Sequence, residues 1–278
     1  MPQLITEYKN NVSHDFQTEN CDLLILSENR YFTYAILRSD GGFELLREYK
    51  QSDEENFTEF HESVLSNDPN LNSKFSKVNI GISNKRLVLV PSVIFDHNQS
   101  VHYLENSAPI WSSDKIMVDN IEDQDIKLVY AFRNSILNKY MQHFSNAESH
   151  NALTKYVNGL NKLTSRVQYG QNIFINALYD TMYIVLYRNN TLTFANVYEF
   201  STAEDFLYYV MLIFKEFQLD QETTPTYISG KLDKDSIIHD LLMRYIRNLK
   251  FINEIASDQL TIEGIPGQLY FDLFALRS

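Results

Sequence analysis

Apolar and polar positions alternate along the chain in a pattern that occurs twice. Short apolar runs at 22–26 (DLLIL) and 173–178 (IFINAL) are each followed by a polar turn. Segments rich in aromatic and branched residues come next, at 31–37 and 182–187. Such runs, bounded by turn formers, predict strands. A second turn follows in both places, Ser39-Asp40-Gly41-Gly42 and Arg188-Asn189-Asn190. Both suit hairpins, because Gly, Asn and Asp tolerate positive φ. A third strand ends at Tyr49 or Tyr198. Ser52 or Ser201 is then the expected helix N-cap, with Glu55 or Glu204 at capping-box spacing. Helical periodicity runs through Phe57, Phe60 and Val64 in one copy, and through Phe206, Val210, Ile213 and Phe217 in the other. Each copy returns to a short strand, 78–83 or 226–230. A further helix in the second copy has Ile238, Leu242, Ile246 and Leu249 on its apolar face.

Residue by residue, Leu23 aligns with Ile173, Ile25 with Ile175 and Arg38 with Arg188, an offset of 150 positions. Past the Gly pair the offset becomes 149, and Tyr49, Ser52, Glu55 and Phe57 meet Tyr198, Ser201, Glu204 and Phe206. The repeat predicts an α/β protein of two tandem lobes, 1–165 and 166–278, each a mixed five-stranded sheet with helices. Between the copies, 84–95 reads as extended, 96–103 (DHNQSVHY) as an exposed hairpin, and 107–125 as loop around a short apolar piece. Two helices are then expected, one lined by Val129, Phe132, Ile136, Tyr140 and Phe144, the other by Ala152, Leu153, Tyr156, Val157 and Leu160. A last helix is expected to start near Pro266.

Three antiparallel strands, a helix, a strand beside the first and further helix is the order of the ribonuclease-H-like unit. Two such units in tandem resemble the actin, sugar-kinase and Hsp70 architecture. With NKRLVLVPSVIF at 84–95 and TYISGKLDKDSIIHDLLMRYI at 226–246, the chain resembles an uncharacterised Bacteroidetes-type bacterial family, a domain of unknown function assigned an actin-like ATPase fold. The resemblance implies two phosphate-clamping hairpins. In working members an Asp ends the first strand and orders Mg²⁺, and a turn Gly lets backbone amides approach phosphate. Here the Asp positions fall on Ser27 and Ala177, and the Gly positions on Asn29 and Tyr179. Asp180 and Thr181 would substitute only in a shifted register. Ser229-Gly230 resembles half of a Gly-Gly adenosine motif, or is a plain strand-to-loop turn. Each charge-assisted hydrogen bond lost costs roughly 1.5–3 kcal/mol, so the pattern favours loss of phosphate chemistry.

Composition narrows the classes further. The 278 residues are 44% hydrophobic with a formal charge of −12, which opposes nucleic-acid binding. The single cysteine, Cys21, excludes an internal disulfide and suits a reducing compartment. The first residues lack the apolar core of a signal peptide, and the longest apolar run, 206–214, is too short to span a bilayer. The expected location is cytoplasmic. Asp96, His97 and His102 lack a recognised metal-ligand spacing, and Glu122, Asp123 and Asp125 read as a solvated helix entrance rather than an acid cluster. The first strand of each copy, 23–26 and 173–176, offers no carboxylate, which argues against a two-metal nuclease. The expectation is therefore a non-catalytic interaction or scaffold module, without cofactor, that binds an unknown protein or peptide. The alternative is a divergent ATPase or small-molecule phosphotransferase holding ATP and Mg²⁺ on Ser27, Asn29, Asp180, Thr181, Ser229 and Gly230.

Overall fold

The computed structural model describes residues 1–10, 17–40, 42–167, 169–256, 265 and 267–278. The first part of the chain contains β1 (Gln3–Lys9), β2 (Cys21–Ser27), β3 (Tyr31–Arg38), β4 (Phe43–Lys50), α1 (Phe57–Asn67) and β5 (Lys77–Ile82). Next come β6 (Leu87–Pro91), α2 (Ser100–Glu105), β7 (Asp114–Ile121), β8 (Ile126–Arg133), α3 (Asn134–His143), β9 (Ala147–Asn151) and α4 (Ala152–Asn161). The remainder holds β10 (Gln171–Ala177), β11 (Thr181–Arg188), β12 (Thr191–Glu199), α5 (Ala203–Glu216), β13 (Thr226–Gly230), α6 (Ile237–Tyr245), β14 (Leu249–Phe251), α7 (Asn253–Ala256) and α8 (Phe271–Phe274).

Two mixed sheets share one strand order. The second runs β12-β11-β10-β13-β14, and the first runs β4-β3-β2-β5-β9 with β1 added outside β4. In each, a three-stranded antiparallel meander is extended by two parallel strands. The correspondence reaches irregularities: register shifts fall between Ile36 and Leu37, and between Leu186 and Tyr187. Asn189 and Asn190 take the positive φ that their turn requires, 53° and 64°.

Four expectations are corrected. The first sheet has six strands, because β1 (QLITEYK) pairs with β4; its largely exposed, irregular pattern gives no clear strand signal. The segment 107–125 contains β7, and 129–133 is not helical: β8 runs through it before α3 begins. In β8, Leu128, Tyr130 and Phe132 face one core while Val129 and Ala131 face another, so both sides are apolar and the period is masked. With β6 and β7 it forms a third sheet, ordered β6-β8-β7. Instead of a hairpin, 96–103 is a short turn leading into α2.

Helix caps also shift. Asn56 with Glu59 and Thr202 with Asp205 form the capping boxes of α1 and α5. Ser52 and Glu55 instead close a separate turn, their side chains 2.9 Å apart. Pro266 lies outside the described residues.

The second sheet packs on both faces. Ile173, Ile175, Met182 and Ile184 meet Phe206, Val210 and Ile213 of α5. The alternate residues Phe174, Tyr183, Val185 and Tyr187 join a core that also contains Leu24, Ile80, Tyr156 and Leu276. One apolar core therefore runs from the first sheet across to the second, and the C-terminal segment is built into it.

Candidate interlobe site

The two hairpins that the resemblance marks as phosphate clamps face each other across this seam. Their backbones match. The Glu28 amide donates to the Tyr31 carbonyl at 3.0 Å, and the Leu178 amide to the Thr181 carbonyl at 2.8 Å. The carbonyl ending each two-residue loop is also taken: Gln51 donates to Arg30 at 2.9 Å and Phe200 to Asp180 at 3.0 Å.

Side chains close the space between the turns. The Tyr179 ring stacks on Tyr31, with centroids 4.1 Å apart and planes 16° apart. Its hydroxyl donates to Glu48 Oε2 at 3.1 Å, and the Tyr270 hydroxyl donates to the same oxygen at 3.1 Å. Lys231 forms an ion pair with the other oxygen of Glu48 and lies 3.5 Å above the Tyr270 ring. Glu48 is 1% exposed and belongs to β4, whereas Tyr179 and Lys231 come from the second sheet's loops. A buried carboxylate is tolerable only when paired and hydrogen-bonded; Thr33 of the neighbouring strand β3 donates to Glu48 at 3.5 Å, and its other partners named here come from distant parts of the chain. Elsewhere along the seam, Tyr183 donates to Ser83 Oγ at 2.8 Å, and Lys85 pairs with Glu199 at 2.5 Å.

The sequence candidates do not form one cluster. Ser27 Oγ is 2.9 Å from the Tyr140 hydroxyl. That hydroxyl is 2.8 Å from Nδ1 of buried His61, whose Nε2 donates to the Glu28 carbonyl. Burial holds His61 neutral, with a pKa of about 3. Ser27, Asn29 and Thr181 line a shared cavity. Asp180 sits at the adjacent turn, its carboxyl pKa raised by burial and by Glu199. Ser229 is fully inside: it donates to Asn176 Oδ1 at 2.7 Å and lies 3.2 Å from the Tyr156 hydroxyl. Gly230 has φ of +85°, and a Cβ there would stand 2.0 Å from the Ala177 carbonyl oxygen. Its conformation thus meets the need for close strand-to-loop contact.

Sequence reasoning missed Glu28, Glu48, Lys231, Tyr270 and Asp272. Glu28 and Asp272 are buried carboxyls, each with one oxygen lacking a hydrogen-bond partner. Burial, reinforced by Asp272 and Asp180, raises the Glu28 pKa well above the usual carboxylate range. Burial raises that of Asp272 to about 6, against the opposing charge of Lys231. Among the described residues, no group of three or more His, Cys, Asp or Glu is placed to hold a metal ion. No helix among them is long and apolar enough to cross a membrane.

Two lobes with this strand order, joined along such a seam, define the actin-like ATPase fold. A Bacteroides thetaiotaomicron VPI-5482 protein "with actin-like ATPase fold and unknown function" is 18% identical, with a TM-score of 0.79 over 89% of this chain and 97% of that one. The structure of the "PilM-PilN type IV pilus biogenesis complex" matches at 13% identity and a TM-score of 0.55, over 94% of this chain and 96% of that one. The chain itself belongs to the family described as "Protein of unknown function (DUF3822)", which it matches over residues 10–249. No curated protein matches the sequence.

Proposed function

We propose that this protein is a non-catalytic member of the actin-like fold that acts by binding a protein or peptide partner, with no nucleotide between its lobes. The observation that carries this reading is the Tyr31–Tyr179 stack, with Tyr179 bonded across the seam to Glu48. A polyphosphate between the turns would have to displace those rings. It would also approach the buried acids Glu28 and Asp272 and the partly buried Asp180, while Lys231 is already paired to Glu48. We further read the matching hairpins as a duplicated unit retained for its shape, in a cytoplasmic protein whose free, buried Cys21 fits a reducing compartment. Support for a protein partner comes from PilM, a protein of the same fold described in complex with PilN. That support is at the level of fold.

The test is thermal melting with and without millimolar Mg-ATP, alongside a phosphate-release assay. A ligand at about 100 times its Kd adds about 2.7 kcal/mol to stability. The expected result is an unchanged Tm and no released phosphate. A clear rise in Tm that Asp180→Ala abolishes would overturn the reading in favour of a divergent nucleotide site.

A further inference from the structure

The two lobes treat the outer edge of their third meander strand differently. In the first lobe that strand is β4. Gln51 donates inward to Arg30, so by alternation Leu46, Glu48 and Lys50 turn their amides outward. β1 takes this edge as an added antiparallel strand, and Asn10 beyond it donates to the Glu44 carbonyl at 3.0 Å. In the second lobe the strand is β12. Phe200 donates inward to Asp180, so Ala195, Val197 and Glu199 turn their amides outward. No strand among the described residues pairs with them. The Val197 amide donates instead to the side chain of its own neighbour, Asn196, at 2.9 Å.

Natural sheet edges are commonly blunted by lysine, proline or a bulge, yet 191–198 holds no charged residue and no proline. Its start is closed, because Thr193 bulges from the ladder and Gln124 accepts from the Leu192 amide at 2.7 Å. The open stretch is 195–199, whose far end carries the exposed Lys85–Glu199 pair. An aromatic shelf flanks it. Phe194 and Tyr198 lie on the α5 side of the sheet, where Tyr209 stacks on Tyr198 with centroids 4.6 Å apart. Tyr208, 63% exposed, meets Tyr209 edge-on at 5.4 Å.

We propose that 195–199 binds an extended segment of a protein partner as an added antiparallel strand, whose alternate apolar side chains lie on Phe194, Tyr198, Tyr208 and Tyr209. This rests on reading the protein as a partner-binding module and names where the partner docks. Strand addition draws affinity from main-chain hydrogen bonds and selectivity from alternate side chains. The first lobe holds the precedent, β1 on β4. A second copy of the chain fits less well. At ~3.4 Å per residue the open edge is only about 17 Å long, which suits a short peptide strand. A dimer on this strip alone would fall short of the ~1,600 Å² that a typical stable interface buries.

The test selects random nine-residue peptides, displayed on phage, against the full chain and measures an enriched peptide by fluorescence anisotropy. Apolar residues at every second position are the expected consensus. N-methylation of one alternate set of the peptide's amides should weaken binding at least about tenfold, and methylation of the other set should leave it unchanged. Val197→Pro removes an outward amide and spares the ladder to β11. That variant and Tyr208→Ser should each weaken binding about fivefold or more. Melting checks that both fold, and Tyr208→Ser with the methylation pattern decides the matter if Val197→Pro does not. No enriched peptide, equal binding by both methylated sets, or unchanged affinity in folded Tyr208→Ser would overturn the proposal. Undiminished binding to folded Val197→Pro would overturn it too, yet leave a partner docking elsewhere; nucleotide binding is what reverses that broader reading. A dimer in sedimentation that Val197→Pro dissolves would give the edge to a second copy and overturn the proposal.

Discussion

At the tip of β2–β3 the loop Asn29-Arg30 turns outward, with Asn29 exposed and Arg30 paired to exposed Asp53 at 2.8 Å. At the tip of β10–β11 the corresponding loop, Tyr179-Asp180, turns inward, and Tyr179 reaches across to Tyr31 and Glu48. The closing backbone hydrogen bonds of the two turns are the same, 3.0 and 2.8 Å. Backbone geometry is therefore conserved between turns whose side chains have opposite fates. The fold's hairpin does not by itself make a phosphate site: what occupies the loop positions decides whether the seam is open or filled.

The largest expected effect comes from removing the charge that supports the inward turn. Lys231→Met leaves Glu48 buried without its cation and should cost about 3–5 kcal/mol in urea unfolding. Adding Glu48→Gln should recover much of that loss. If Lys231→Met alone unfolds at the wild-type midpoint, the ion pair does not hold the seam.

Next is the pH dependence contributed by the seam's acids. The folded pKa of Asp272, about 6, lies above its ordinary value of 3.8, so the native state holds that proton more tightly. This contribution is fully present below about pH 4 and is lost as pH rises to about 6. At 1.36 kcal/mol per unit, the loss is at most about 3 kcal/mol. Glu28 acts in the same direction. Asp272→Asn should flatten the fall in stability across that window, and an unaltered slope would remove Asp272 from the account.

A smaller effect separates the turns directly. Tyr179→Ala loses a ring stack and a hydrogen bond to a carboxylate, together about 2 kcal/mol or somewhat more. Asn29→Ala at the exposed turn should stay within about 0.5 kcal/mol of wild type. Equal effects at the two positions, measured by denaturant midpoint, would erase the contrast.

Much of this architecture is legible in the sequence because it is local. The runs DLLIL and IFINAL, the Asn189-Asn190 turn and the aromatic and branched residues of β11 are set by neighbours within a few residues, and each is where its pattern places it. Where both faces are apolar, as in β8, the period is lost and strand was read as helix. The site was less legible for a different reason. Ser27, Asn29 and Thr181 do come together around one cavity, but nothing near Glu48 announces a buried acid. Its partners Tyr179, Lys231 and Tyr270 stand 131 or more positions away, a pairing visible only once the chain is folded.

The most direct measurement is a crystal structure of the protein grown with millimolar magnesium and a non-hydrolysable ATP analogue. Tyr179 is expected to remain stacked on Tyr31 and bonded to Glu48, with no triphosphate density between the turns. Nucleotide held there by main-chain amides of both loops, with the two rings driven apart, would contradict it.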